Sequence, residues 1–154
     1  MAARKKRPKP GDLLKVAVDG GSAHLHYLGK HPEYGDAVRV VASECMPEAS
    51  SDRDTLLAEG YVAFYPVVAA VSQGLVDVVG HHGTVTQVPS KLRRPGARSN
   101  DGRVLAWVIE EGGAEAVTKT LTPEQRALPI AVIWNHEMLC TRIREGWRPE
   151  REGA

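Results

Sequence analysis

Alternating apolar and polar positions in the first third of the chain predict antiparallel strands. Apolar residues dominate segments 13–18 and 23–28, and the sequence Asp-Gly-Gly-Ser at 19–22 separates them. Glycines at such a position supply the positive φ that a tight turn requires, so the two segments predict a β-hairpin. A third strand is predicted over 36–43, after a loop that contains Pro32.

The middle of the chain changes to a helical pattern. Ser51 and Asp54 have the spacing of a capping box, and Gly60 would end this helix in a left-handed cap. The apolar segment 66–73 begins with proline and is followed by glycine, which predicts a second, buried helix. A strand over 75–79 is predicted to follow it.

Residues 81–102 are predicted to form a long irregular loop, because glycine, proline and asparagine recur along them. Beyond this segment, apolar residues alternate with other residues over 103–111. Gly112-Gly113 then connects that segment to a returning strand over 114–121. The alternation and the two-glycine turn predict a second hairpin.

The C-terminal part of the chain carries clear helix signals. Thr122 is followed by proline and, three positions on, by glutamine, which predicts a short capped helix. Residues 130–134 are β-branched and aromatic and predict a strand or a buried turn. Asn135 is expected to cap a final helix that ends near Gly146, and Trp147 should pack back on that helix.

Together these elements predict a single α+β domain over residues 11–148. Its expected architecture is a curved antiparallel sheet, or a partly open small β-barrel, with three to four short helices packed on it. A length of 154 residues suits one domain with a substantial core. Residues 1–10, with five cations and two prolines, are expected to form a disordered basic tail, and residues 149–154 a loose C-terminal tail.

Composition excludes several classes of protein. A hydrophobic share of 42% and a charged share of 25% are typical of globular domains, not of disordered chains. The sequence has no apolar run long enough to span a membrane, and none follows basic residues 4–7 as in a secretory signal. Two cysteines make neither a disulfide framework nor a four-cysteine zinc site, so we expect a cytoplasmic protein.

His24 and His26 are the first candidates for a metal site, because alternate positions of a strand point to one face. A metal site needs three or four ligands, so Asp36, His81 or His82 would have to converge on the pair. We interpret the two histidines as a structural pair on a solvated sheet face. A metal-dependent enzyme built on them is kept as an alternative hypothesis.

The sequence contains no established catalytic motif. Neither a Gly-x-Ser-x-Gly elbow nor a glycine-rich phosphate loop is present, and His136-Glu137 lacks the second histidine of a zinc-protease helix. Cys140 is predicted to be an inert residue on the packed side of its helix, and the Glu44 carboxylate should make the Cys45 thiol less reactive. We therefore identify no catalytic residue and no cofactor, and favour a protein that is not an enzyme.

Charge is unevenly distributed, although 20 basic and 19 acidic residues nearly cancel. Segment 11–60 carries nine carboxylates against four cations, whereas the N-terminal tail and segment 91–103 are basic. A nucleic-acid-associated accessory protein is therefore an alternative hypothesis, with the tail and the 91–103 loop as its binding surface. The cations concerned in the loop are Lys91, Arg93, Arg94 and Arg98. Aromatic residues do not interleave with them as a base-stacking surface would require.

Glycine, aspartate and tyrosine mark the first two predicted strands. Gly11-Asp12 begins the first strand, Asp19-Gly20 forms the turn, Tyr27 lies on the second strand and Gly29 follows it. Over about residues 11–41 this pattern resembles a family of bacterial immunity proteins that accompany polymorphic toxins. His24 and His26 depart from that pattern.

The resemblance implies a protein that neutralises a toxin by direct binding and has no active site. The acidic residues of this part of the chain are compatible with such a role, because their potential would steer a basic toxin domain. The candidate binding surface consists of Asp12, Asp19, Glu33 and Asp36. We therefore expect a small bacterial cytoplasmic binding protein whose partner is a protein and not a membrane.

Overall fold

The computed structural model describes residues 6–83 and 87–152 and divides their strands between two antiparallel sheets. The larger sheet has the strand order β4-β3-β2-β1-β5. Its strands are β1 Asp12–Val18, β2 Gly21–His31, β3 Gly35–Val41, β4 Tyr61–Phe64 and β5 Val76–His81. The smaller sheet has the order β6-β7-β8. Its strands are β6 Lys91–Pro95, β7 Trp107–Glu111 and β8 Ala114–Thr118.

Four short α-helices and one 3-10 helix pack on these sheets within the described ranges. The α-helices are α1 Ser50–Ala58, α2 Val67–Ser72, α3 Pro123–Arg126 and α4 His136–Arg144, and the 3-10 helix is Pro149–Arg151. In the described part of the chain, no helix has the length and apolar character needed to cross a membrane. The predicted α+β class with antiparallel strands and three to four short helices is confirmed. Both sheets are open, so the alternative of a partly open β-barrel is wrong.

The main core lies on one face of the larger sheet. Leu14 of β1 pairs with Leu25 of β2, which in turn pairs with Val40 of β3, so these side chains share that face. Apolar residues of α2 and α4 pack against it, and Trp107 of the smaller sheet joins the same cluster. The two sheets therefore share one hydrophobic core and form one domain.

The opposite face of the larger sheet is covered by α1. Leu13 of β1 and Val41 of β3 pack there against Leu57 of α1. His24 and His26 lie on this same face, as their alternation predicts, but both are buried. The expectation of a solvated sheet face around the two histidines is therefore wrong.

The predicted β7–β8 turn and the predicted caps of α3 and α4 are confirmed, whereas Gly60 does not have the positive φ of a left-handed cap. Gly112 and Gly113 have φ of 55° and 87° and form the two-residue turn between β7 and β8. Thr122 accepts a hydrogen bond from the Gln125 backbone amide at 3.2 Å, in a complete capping box. Asn135 caps α4 through the Met138 amide at 2.7 Å, and Trp147 is buried after Gly146.

Elements that depend on distant partners differ from the predictions. Segment 81–102 is not one irregular loop, because Lys91–Pro95 forms β6 and pairs with β7. Strand β4 was not expected, and it is held by pairing with β3. The N-cap of α1 is Ala49 and not Ser51, and it makes no side-chain capping hydrogen bond. Asp54, the predicted partner of Ser51, instead places its Oδ1 2.7 Å from His82 Nε2.

Both chain ends are more tightly packed than expected within the described residues. Pro8 is buried, and the Lys9 amide donates to Asp12 Oδ2 at 3.0 Å, so part of the expected disordered tail packs on the domain. Residues 1–5 and 153–154 lie outside the described residues. Pro149 is buried, and its carbonyl accepts from the Arg93 guanidinium, so residues 149–152 are held and not loose.

Candidate functional site

A cleft of about 410 Å³ lies where the two sheets meet, and we call it the acidic cleft. One wall is the connection between β2 and β3, a second is segment 88–90, and the third is the turn between β7 and β8. Its charged lining residues are Lys30, Glu33, Glu110, Glu111 and Glu115. Carboxylates thus outnumber cations in the lining by four to one.

The hairpin register places two of these carboxylates together. Because the turn has two residues, Glu110 of β7 stands directly opposite Glu115 of β8. Like charges in that position repel one another. Arg94 of β6 offsets the repulsion, since its Nε lies 2.5 Å from Glu110 and its Nη2 lies 3.1 Å from Glu115. Hydrogen bonds to the two carboxylates, Glu110 first, raise the pKa of Arg94.

Tyr34 connects the two sheets beside the cleft. Its hydroxyl donates to Glu110 Oε2 at 3.0 Å, and its ring lies 5.1 Å from that of His31 and 5.3 Å from that of Phe64. Burial, followed by the hydrogen bond to Glu110, raises the pKa of Tyr34 to about 12. The hydroxyl therefore stays protonated at neutral pH, and as a donor it fixes the orientation of the Glu110 carboxyl group.

Two carboxylates remain available at the rim of the acidic cleft. Glu33 is exposed, and among the described residues no ion pair involves it. Glu111 is also exposed and lies 3.9 Å from Lys91 Nζ, at the limit of an ion pair. Such exposed pairs contribute little energy, so an incoming cation can replace Lys91.

The predicted acidic surface is not assembled as one patch. Asp12 is 1% exposed and accepts from the Lys9 amide and from His81 Nδ1, so it is structural. Asp36 is half-buried and accepts from the Tyr27 hydroxyl at 2.7 Å. Asp19 is exposed but pairs with Arg144, at the opposite end of β2 from Glu33.

The basic residues of segment 91–103 do not form a free cationic surface. Arg93 is 0% exposed and cannot contact a phosphate backbone, which corrects its place among the nucleic-acid candidates. Arg94 and Lys91 face the carboxylates described above, and Arg98 Nη1 donates to the Gly102 carbonyl at 2.9 Å. The geometry therefore does not favour a nucleic-acid interface at this segment.

His24 and His26 each have one ring nitrogen close to a backbone carbonyl oxygen. His24 Nδ1 lies 2.7 Å from the Ser43 carbonyl oxygen, and His26 Nε2 lies 2.9 Å from that of His82. Within the residues that the structure describes, no group of three or more histidine, cysteine or acidic side chains is arranged to hold a metal ion. The convergence that a metal site on this pair would need is therefore not observed there.

Sequence reasoning identified Glu33 but missed the three carboxylates of the β7–β8 hairpin. The signal that could have found them is the Gly112-Gly113 turn, because a two-residue turn fixes which residues stand opposite each other. Their meeting with Glu33 depends on β6, which was predicted as loop. No protein-family model, no curated protein and no solved structure shows a significant match to this chain.

Proposed function

We propose that this protein is a non-catalytic binding protein whose acidic cleft receives a basic segment of a protein partner. The observation that carries the proposal is the exposed pair Glu33 and Glu111 at the rim of a 410 Å³ cleft. That volume is within the range of small binding pockets and can hold a lysine or arginine side chain. Carboxylates at both rims would bind a guanidinium through charge-assisted hydrogen bonds.

The organisation of the cleft favours a preformed site. Glu110 and Glu115 are held by Arg94, and Tyr34 holds Glu110 from the other sheet. Carboxylates held in place lose little conformational freedom on binding, which improves affinity. Electrostatic complementarity of this kind accelerates association and selects against acidic partners.

The resemblance of residues 11–41 to immunity proteins narrows the class of partner. It supports a toxin domain as the partner that carries the basic segment, because immunity proteins neutralise a toxin by direct binding. The gene neighbourhood tests this narrower proposal. A toxin gene beside the gene of this chain, whose product co-purifies with it, is expected, whereas an isolated housekeeping setting contradicts it.

Charge reversal tests the cleft itself. The double variant Glu33→Lys with Glu111→Lys should bind an oligoarginine peptide at least about tenfold more weakly than the unmodified chain, because two attractions become repulsions. The matched control is Glu48→Lys with Asp77→Lys, which changes the net charge equally at exposed residues outside the cleft. Calorimetric titration at low and physiological salt measures both.

The control variant distinguishes binding of the peptide at the acidic cleft from general electrostatic attraction between the peptide and the chain. If the cleft is the site, the control variant keeps its affinity for the peptide within about twofold. Equal losses in the two double variants would mean that the peptide responds only to net charge, and the proposal would then be wrong.

A further inference from the structure

Two side chains of α4 and one from a distant part of the chain form a hydrogen-bonded series. The Cys140 Sγ lies 3.4 Å from His136 Nε2, and the other ring nitrogen, Nδ1, lies 2.8 Å from the Tyr65 hydroxyl. The Tyr65 and His136 rings are 6.2 Å apart, with Tyr65 almost completely buried. A thiol beside a base that a third group orients is the arrangement found in activated nucleophiles.

Local structure explains why this arrangement is fixed. His136 and Cys140 are four residues apart on α4, so their side chains lie on one face of the helix. The Asn135 cap holds the first turn of α4 in place, through the Met138 amide. Tyr65 follows β4, and its amide donates to the Asp36 carbonyl at 3.0 Å. Both helix and strand thus position the imidazole.

The surroundings of Cys140 make a neighbouring base important. Burial raises the pKa of the Cys140 thiol; the nearby Arg144 acts against this shift, and Asp19 adds to it. Arg144 and Asp19 form an ion pair and act on the thiol in opposite directions, and burial is the largest cause of the shift. The thiol is therefore protonated at neutral pH, and its reaction requires a base within reach. His136 Nε2 is at the required position.

Cys45 provides an internal comparison. It is exposed, whereas Cys140 is half-buried, and among the described residues no imidazole contacts Cys45. Accessibility alone would therefore make Cys45 the more reactive thiol. Because Glu44 should also make Cys45 less reactive, an excess reactivity of Cys140 is assigned to its base only where His136→Gln removes it.

We propose that Cys140 is a thiol–disulfide exchange site for low-molecular-weight disulfides, with His136 as its base and Tyr65 as a positioning residue. In the step, the S–H proton passes to His136 Nε2 while the Cys140 sulfur attacks one sulfur of the disulfide RS–SR. A new S–S bond forms, the old one breaks, and the leaving thiolate takes the proton from the imidazolium as RSH. The disulfide is the oxidant, and the net products are a mixed disulfide and one thiol.

The test treats the full chain with oxidised glutathione at pH 7 and follows both cysteines by peptide mass spectrometry. Cys140 should form the mixed disulfide at least about tenfold faster than Cys45, since a positioned base contributes roughly 100-fold or more to such reactions. His136→Gln should remove most of this advantage and leave the rate at Cys45 unchanged. Tyr65→Phe should lower the Cys140 rate to a smaller extent.

A pH profile of alkylation by iodoacetamide makes the test independent of folding of the variants. In the unmodified chain, a Cys140 thiol that passes its proton to His136 Nε2 should already react at neutral pH. A buried thiol without assistance gains reactivity only in alkaline solution. The proposal is overturned if Cys140 reacts no faster than Cys45 at pH 7, or if its profile is that of an isolated thiol. It is equally overturned if folded His136→Gln reacts at the original rate.

Discussion

We expect Trp147→Ala to lower the free energy of unfolding by about 3–5 kcal/mol. Trp147 is 8% exposed, and its ring contacts two other buried aromatic rings edge-on, Tyr61 at 5.3 Å and Trp134 at 5.1 Å. Its Nε1 donates to Glu152 Oε1 at 3.0 Å, and the Arg142 guanidinium lies 5.0 Å from the ring. The substitution removes all four interactions at once.

The magnitude follows from these contacts. A buried tryptophan removes about 150–250 Å² from water, equivalent to roughly 4–6 kcal/mol at 25 cal/mol per Å². Trp147 also lines two surface clefts, of about 310 and 440 Å³, so water can enter the space that the ring leaves. That access limits the cavity cost and keeps the expected loss within the stated range.

Urea unfolding followed by circular dichroism measures the effect. For a domain of this size, the expected loss corresponds to a melting temperature lower by roughly 6–20 °C. Val117→Ala is the control, because Val117 is 72% exposed and its truncation should change stability by less than about 0.5 kcal/mol. If Trp147→Ala keeps the stability of the control and abolishes partner binding instead, the ring is an interface anchor and the reasoning is wrong.

Two further predictions concern buried basic groups. Arg93→Met should destabilise the fold by about 2–4 kcal/mol in urea titrations, because three carbonyl oxygens lie within hydrogen-bond distance of Arg93 Nη2 and the guanidinium lies 4.2 Å from the centre of the Trp107 ring. An unchanged urea midpoint would show that the Arg93 guanidinium does not stabilise the packing of the 3-10 helix. Burial lowers the pKa of His26, so the free energy of unfolding should fall as the pH drops below about 6.5, where the unfolded chain gains the proton first. His26→Gln should make this loss shallower between pH 7 and 5, and an identical pH dependence in both proteins would exclude His26 as its source.

Three elements with local signals were predictable from the sequence, although the local Ser51 capping signal was wrong. The Gly112-Gly113 hairpin and the Thr122 and Asn135 caps each depend on residues within four positions of one another. Their energies come from backbone conformation and from hydrogen bonds that a short segment makes by itself. The α+β class followed from these elements, because their order and length leave few ways to bury their apolar faces.

Elements without local signals were not predictable in this way. Strand β4 has four residues, too few to show a period, and its extended form is stabilised by pairing with β3. Strand β6 contains Lys91, Arg93 and Arg94, which in sequence resemble a solvated cationic loop. Arg93 is buried because three backbone carbonyls, of Arg126, Pro149 and Glu152, converge on its guanidinium. No local sequence pattern indicates contacts between residues that lie so far apart in the sequence.

The cations of segment 91–98 could nevertheless have been interpreted from the hairpin that follows them. A two-residue turn at Gly112-Gly113 places Glu110 opposite Glu115, and two carboxylates facing each other in a sheet require a cation nearby. Arg94 is that cation, at 2.5 and 3.1 Å from the two glutamates. The acidity of the hairpin therefore explains two of the four cations, Lys91 and Arg94, and it weakens the case for a nucleic-acid partner at this segment. Glu33 and Glu111 remain exposed at the rim of the acidic cleft. The surface that this cleft offers to a partner is therefore negatively charged.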